Sequence, residues 1–225
     1  NIMDVYMDAV FHPNIYKHRE IFEQEGWHYE LEDEDAPVTI NGVVYNEMKG
    51  AFSSPDDVLE RLILNSLFPD TSYANESGGD PDVIPNLTYE QFLDFHRTYY
   101  HPSNSYIYLY GNLDAEEYLT FLEENYLKDF DSLTIDSEIR QQEPFAEKRE
   151  IVKEYSIMED EPVRENTYLT YNVSMGSSLD RKLYAAMDIL DYVLCSAPGT
   201  PVKQALIDAG IGKDVYSTME NGIAQ

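Results

Sequence analysis

The side chain of this sequence best placed for chemistry is Glu47, within the segment GVVYNEMKGAFSSP at residues 42–55. Apolar residues recur there at helical spacing, and Glu47 falls on the flank of their stripe. Gly50 lies one turn later on the same flank, where glycine costs about 1 kcal/mol relative to alanine. We therefore expect room there for another group to approach a partly buried carboxylate. Such a carboxylate must be paired, protonated or bound to a metal, and the residues alone favour a salt bridge at the helix edge over a metal ligand.

Histidines offer no metal site of their own. The chain has five histidines, and no two of them are spaced four apart, so no helix presents two imidazoles on one face. We expect structural roles for all five: His12, His18, His28, His96 and His101.

Three other motifs are weak candidates for chemistry. Cys195 adjoins an apolar helical stripe and has no neighbouring histidine, which indicates a buried, inert thiol. The glycine-rich stretch at 77–81 lacks the lysine of a phosphate-binding loop and is predicted to be a plain turn. The acidic run at 30–35 lacks the glycine and spacing of a calcium loop, so we predict a solvated loop between strands.

Composition narrows the class of partner. The 225 residues carry a formal net charge of −28, which disfavours nucleic acid and anionic lipid. The simplest role of such a charge is solubility, and the alternative is attraction of cationic peptides or metal ions. A single cysteine excludes an intrachain disulfide and indicates a reducing compartment. No apolar run long enough for a membrane span and no leader is present, so we expect a cytoplasmic location, or an organelle in a eukaryotic source.

Capping signals and hydrophobic periodicity predict an α+β fold with antiparallel sheet layers flanked by helices. Predicted helices cover 1–10, the Glu47 segment and 183–194, and others begin after Ser54, Thr88, Asp114 and Thr200, with a capping box at Thr88 and Gln91. Predicted strands are 27–31, 38–43, 105–110, 151–155 and 167–173.

The pattern weakens between residues 131 and 148, which we interpret as a linker between two partial domains. The predicted domains are residues 1–130 and 149–225. Because the first segment is already helical and the last lacks a closing element, we expect a fragment of a longer protein.

Several blocks of the sequence resemble the pitrilysin/insulysin family of zinc metallopeptidases, in its presequence-protease-like branch. The blocks are the Glu47 segment, YMDAVFHPNI at 6–15 and SGGDPDVIPNLTYEQFLDFHRTYYHPSNSYIYLYGNLD at 77–114. The resemblance covers most of residues 1–130, which would be the C-terminal part of the catalytic domain. It is weaker over 149–225, which would begin the following domain.

The resemblance implies an inverted zinc peptidase that hydrolyses unstructured peptides in an enclosed chamber. In that family an H-x-x-E-H helix supplies two ligands and the general base, and a later glutamate supplies the third ligand, which Glu47 matches. The chain contains no H-x-x-E-H, so we expect that motif upstream of Asn1. The parent protein would bind Zn²⁺, whereas the fragment alone would bind none and be inactive.

Two alternatives to an active enzyme stay open. The parent protein could be a non-catalytic structural or partner subunit of the same family, or an acidic peptide-binding scaffold. The expected partners are unfolded peptides, including basic ones, and the remainder of the parent chain. Neither nucleic acid nor a membrane is expected.

Overall fold

The computed structural model of the protein describes residues 2–225. These residues form two compact units, one of residues 2–58 and 76–139 and the other of residues 59–75 and 140–225. The division falls within one helix, Pro55–Leu67. The domain boundaries predicted from the sequence stay predictions, and Asn1 lies outside the described residues.

The first unit is mainly helical and contains one antiparallel pair of short strands. The strands pair with His28 opposite Asn41 and Glu30 opposite Thr39. In chain order the elements are α1 (Ile2–Phe11), α2 (Arg19–Glu25), β1 (His28–Glu30), β2 (Thr39–Asn41), α3 (Val43–Ala51), the start of α4 (Pro55–Leu67), α5 (Tyr89–Tyr99) and α6 (Ala115–Leu122), which continues as a π-helical turn over Glu123–Leu127.

The starts of α5 and α6 follow the predicted capping chemistry. Thr88 Oγ1 accepts from the Gln91 backbone N–H at 3.2 Å, while the Gln91 side chain accepts from the Thr88 N–H at 2.8 Å, so α5 begins with a complete capping box. Asp114 accepts from the N–H groups of Glu116 and Glu117 at the start of α6. These side chains satisfy N–H groups that the first turn of a helix leaves without partners.

The core of the first unit joins the first and last helices of that unit. Met7 and Phe11 of α1 pack against Leu122 and Tyr126. The buried Tyr126 hydroxyl donates to the backbone carbonyl of Asp4 at 2.8 Å and contacts the Asp4 carboxylate. The hydrogen bond to that carboxylate, reinforced by burial, raises the pKa of Tyr126 from 10.0 to about 12.

Tyr126→Phe is expected to reduce the loss of folding stability at alkaline pH. Below pH 10 the hydroxyl is protonated in both the folded and unfolded states; between pH 10 and about 12 only the unfolded state releases the proton, so stability falls as pH rises. Denaturant unfolding across this range should therefore show a shallower decline for the variant. Tyr108→Phe, which alters an exposed tyrosine, should decline like the unchanged protein, and parallel curves for Tyr126→Phe would contradict the assignment.

The second unit contains the remainder of α4 and two later helices. They are α7 (Arg181–Asp191), which continues as a π-helical turn over Tyr192–Ser196, and α8 (Pro201–Asp208). Asp180 caps α7, and Gly210 adopts a left-handed φ of +66° after α8. Buried Gln142, within the predicted linker, exchanges hydrogen bonds with the Asp70 backbone and carboxylate and with Gln225.

Three of the five predicted strands are not strands. The predictions at 27–31 and 38–43 correspond to β1 and β2, whereas residues 105–110, 151–155 and 167–173 pair with no strand among residues 2–225. A strand exists only where a neighbouring strand takes its N–H and C=O groups. Aromatic and β-branched composition alone cannot supply that partner.

The described chain is thus α+β, mostly helical with a small two-stranded antiparallel sheet. Within residues 2–225, no helix combines the length and the apolarity needed to cross a membrane.

Candidate functional site

Helix α3 carries Glu47, as the sequence predicts. Its C-terminal end is closed by the Phe52 N–H, which bonds to the carbonyls of Met48 and Gly50. The Ser53 hydroxyl also donates to the Gly50 carbonyl, at 2.6 Å. Because these bonds use carbonyls that the last turn leaves without partners, α3 stops after two and a half turns and Glu47 lies near its middle.

The Glu47 carboxylate is exposed, which corrects the expectation of partial burial. Across residues 2–225 it has no hydrogen-bond or ion-pair partner, so the favoured salt bridge does not form within the described chain. Nor do the described residues contain any group of three or more His, Cys, Asp or Glu side chains that could hold a metal ion. Glu47 fits the part of one exposed ligand, and its role as a ligand stays a prediction.

Gly50 borders open space. A Cβ built on Gly50 would meet nothing within 4 Å besides its own helix and neighbours. Alanine would make the helix more stable than glycine does, and it would fit here without a clash, so the contacts of the described chain do not explain the glycine. The same open space means that another group can approach the surface beside Glu47.

The N-terminus of α3 is fixed by the residue before its N-cap. Gly42 occupies the N-cap position, where no side chain caps the helix. Instead, Asn41 Oδ1 accepts from the Gly42 backbone N–H at 2.8 Å and from Asn46 Nδ2 at 2.6 Å. Asn41 Nδ2 donates to Glu30 Oε2 at 2.8 Å. One amide side chain thus joins the β1–β2 hairpin to the first turn of the helix that carries Glu47.

The turn at 77–81 packs against α3. A Cβ on Gly78 would lie 2.2 Å from Met48 Sδ, so the thioether occupies the space that a side chain at 78 would need. This turn has no phosphate-loop lysine, as expected, but it is more than a plain connection because it supports the residue next to Glu47.

Three of the five histidines make side-chain hydrogen bonds within the fold. His96 Nδ1 accepts from the Tyr16 hydroxyl at 2.7 Å, and its Nε2 donates to the Val10 carbonyl at 2.9 Å, which ties α5 to the end of α1. His28 Nδ1 donates to the Glu23 carbonyl at 2.8 Å. His101 Nδ1 accepts from the Ser103 N–H at 3.1 Å. Both ring nitrogens of His96 are thereby used within the fold, which leaves it no lone pair for a metal.

Cys195 and the acidic loop between β1 and β2 also form no recognisable catalytic or metal-binding group within residues 2–225. Cys195 is a free thiol, half-buried rather than fully buried, in the π-helical turn after α7. Residues 31–38 connect β1 to β2 as predicted, and their acidic side chains form no three-ligand group among the described residues.

Comparison with known proteins identifies the family. Residues 86–223 match the family described as Peptidase M16 inactive domain. The whole chain is 53% identical over 225 residues to Protein HypA of Clostridium perfringens. The chain belongs to the pitrilysin (M16) family of peptidases. It is also 39% identical over 221 residues to presequence protease 1, chloroplastic/mitochondrial, of Arabidopsis thaliana, and 36% identical over 224 residues to the mitochondrial presequence protease of Danio rerio, covering 97% of the chain in both.

The chain spans only part of these relatives. It corresponds to 23% of HypA, 20% of the Arabidopsis protein and 22% of the zebrafish protein. The inactive-domain match at 86–223 does not include α3 or Glu47. Homology therefore establishes a peptidase family, while the activity of the whole protein is a matter for proposal.

Sequence reasoning found Glu47 but missed its supports. Asn41, Gly42 and Gly78 carry no chemistry of their own, and their roles depend on contacts with residues distant in the chain. No local signal identified the crowding at Gly42, because glycine is itself a favoured N-cap residue.

Proposed function

We propose that this chain is part of a zinc-dependent endopeptidase that hydrolyses unstructured peptides in an enclosed chamber, and that Glu47 is the protein zinc ligand it contributes. The observation that carries the proposal is an exposed, unpartnered glutamate in the middle of α3, in a chain of a peptidase family. A carboxylate held on a packed helix is pre-positioned for coordination and has no competing cation.

At such a centre, this chain would supply one ligand and an open surface beside it. Zinc with three protein ligands and one open position would activate water and polarise the scissile carbonyl. Glu47 would bring one negative ligand, and the open surface at Gly50 would leave room for the segment that brings the others. The two histidine ligands and the general base would come from elsewhere in the parent protein, so this chain alone is proposed to be inactive.

Charge suggests the substrate class. With a net charge of −28, the chain would attract basic unstructured peptides by long-range electrostatics. In the full-length protein, a basic peptide should be cleaved with higher kcat/KM than an acidic peptide of equal length at low salt. The ratio should shrink as salt screens the attraction, and a ratio that ignores salt would contradict the electrostatic explanation.

The function is tested on the full-length zinc-loaded protein. We expect cleavage of an unstructured peptide, loss of cleavage on treatment with a chelator, and recovery when Zn²⁺ is restored. A stably folded protein of similar composition should resist cleavage. Peptide cleavage that survives complete removal of zinc would contradict the proposal.

One alternative has support of its own. The family match at 86–223 is to the inactive domain, which favours a non-catalytic structural or partner subunit. The sequence of the parent protein upstream of Asn1 separates the two, because a degenerate H-x-x-E-H there would remove the ligands and the base.

A further inference from the structure

The junction between β2 and α3 concentrates polar contacts on a single side chain. Asn41 ends the strand, Gly42 caps the helix, and Asn46 lies at the end of its first turn, directly before Glu47. The Asn41 amide oxygen accepts hydrogen bonds from the Gly42 N–H and the Asn46 side-chain amide, and the Asn41 amide nitrogen donates to Glu30. All three bonds fall between 2.6 and 2.8 Å, so this side chain has little freedom to move without breaking one of them.

Close backbone packing leaves the junction little room to shift. A Cβ on Gly42 would lie 2.2 Å from the Gly26 carbonyl oxygen and 2.8 Å from Trp27 Cα. The N-terminus of α3 therefore rests directly on the turn between α2 and β1. Further along α3, Met48 fills the space in front of Gly78. The helix is held at its start and near its middle, on both sides of Glu47.

We propose that Asn41 is a positioning residue for the Glu47 carboxylate. The inference rests on the proposed function, in which Glu47 is a zinc ligand. Metal–ligand distances tolerate changes of only about 0.2 Å, so a tilt of α3 at its first turn moves Glu47 out of range. Asn41 prevents this tilt by tying the helix to the β1–β2 hairpin through Glu30 and Asn46. Asn41 itself does not contact metal or substrate.

The test uses the full-length zinc-loaded protein. Asn41→Ala should raise the Kd for Zn²⁺ about 10- to 100-fold, the range typical for residues that orient metal ligands. The double variant Asn41→Asp/Glu30→Gln exchanges donor and acceptor across the same contact and keeps an oxygen for the Gly42 N–H and Asn46, so it should recover most of the affinity. Lys49→Ala, an exposed truncation on the same helix, should leave the Kd unchanged.

Three measurements separate positioning from stability. They are the Kd for Zn²⁺ by chelator competition, the visible spectrum of the Co²⁺-substituted protein, and the Tm of the zinc-free protein. A positioning role changes the Kd and the spectrum. A lower Tm in Asn41→Ala with both unchanged would overturn the proposal. Asn46→Ala is the second variant if Asn41→Ala does not fold. It removes only the hydrogen bond between Asn46 and Asn41, so it should raise the Kd for Zn²⁺ by a smaller factor. An unchanged Kd in Asn46→Ala would also overturn the proposal.

Glu47→Gln distinguishes this inference from the function it rests on. If Glu47→Gln leaves the Kd for Zn²⁺ unchanged, Glu47 is not a ligand and the proposed function fails. If Glu47→Gln weakens zinc binding while Asn41→Ala does not, Glu47 is a ligand and only the positioning role of Asn41 fails.

Discussion

Replacing Glu47 with glutamine in the full-length protein is expected to raise the Kd for Zn²⁺ and lower kcat/KM, each by at least about 100-fold. The amide keeps the size of the side chain and removes its negative charge, and a neutral amide oxygen is a poor zinc ligand beside a carboxylate. Loss of a residue that merely orients a ligand typically lowers affinity or activity 10- to 100-fold. Loss of a direct ligand should therefore reach or exceed the upper end of that range.

This substitution should leave the free energy of unfolding unchanged. Glu47 is exposed and has no partner among residues 2–225, and surface changes of this kind usually alter the free energy of unfolding by less than about 0.5 kcal/mol. The zinc-free variant should therefore unfold at the same denaturant concentration as the unchanged zinc-free protein. Activity lost together with stability would indicate a structural role instead.

Glu34→Gln is the matched control. It makes the same change of charge at an exposed position outside α3, in the loop between β1 and β2. Zinc content measured by metal analysis and peptide cleavage should both be unchanged in this variant. Normal zinc content and normal cleavage in Glu47→Gln itself would show that the carboxylate is not a ligand.

Helix starts could be predicted from the sequence because their causes are local. The capping box of Thr88 and Gln91 and the cap at Asp114 involve residues within one turn of each other. The side-chain oxygen meets an N–H that the same helix leaves without a partner. No distant part of the chain has to be known for such a prediction to hold.

Strand predictions at 105–110, 151–155 and 167–173 fail for the opposite reason. The tyrosines at 106, 108 and 110 have the composition of a strand, yet their side chains are exposed and the segment pairs with no other among the described residues. Leu109 alone of this stretch packs against the core. Pairing is a relation between two segments, and the sequence of one segment does not contain it.

The candidate site could be predicted only in part: more of it than of the strand pairing, less than of the helix starts. Helical periodicity placed Glu47 on α3, and resemblance to a family suggested its role, but neither could identify Asn41 as its support. The bonds from Asn41 cross from one strand to the next and from strand to helix. They depend on the hairpin register, in which Asn41 faces His28 and lies diagonal to Glu30.

Gly42 at the N-cap of α3 and Gly50 in its last turn should respond oppositely to alanine. Gly42→Ala is expected to lower the free energy of unfolding of the chain by about 1–3 kcal/mol, the usual range for overpacking. The added carbon would lie 2.2 Å from the Gly26 carbonyl oxygen, and a backbone atom cannot turn aside as a side chain can. Gly50→Ala meets nothing within 4 Å and should raise the same free energy by up to about 1 kcal/mol through helix propensity.

Gly42→Ser separates crowding from capping. Serine is a better N-cap than alanine and at least equals glycine, so a capping effect would leave Gly42→Ser as stable as the unchanged chain. Crowding against Gly26 predicts that both variants lose stability, as measured by denaturant unfolding. A stable Gly42→Ser would contradict the close approach. The φ of 162° at Gly42 is extended backbone open to any residue, so the loss can be attributed to the contact with Gly26 and Trp27 and not to backbone strain.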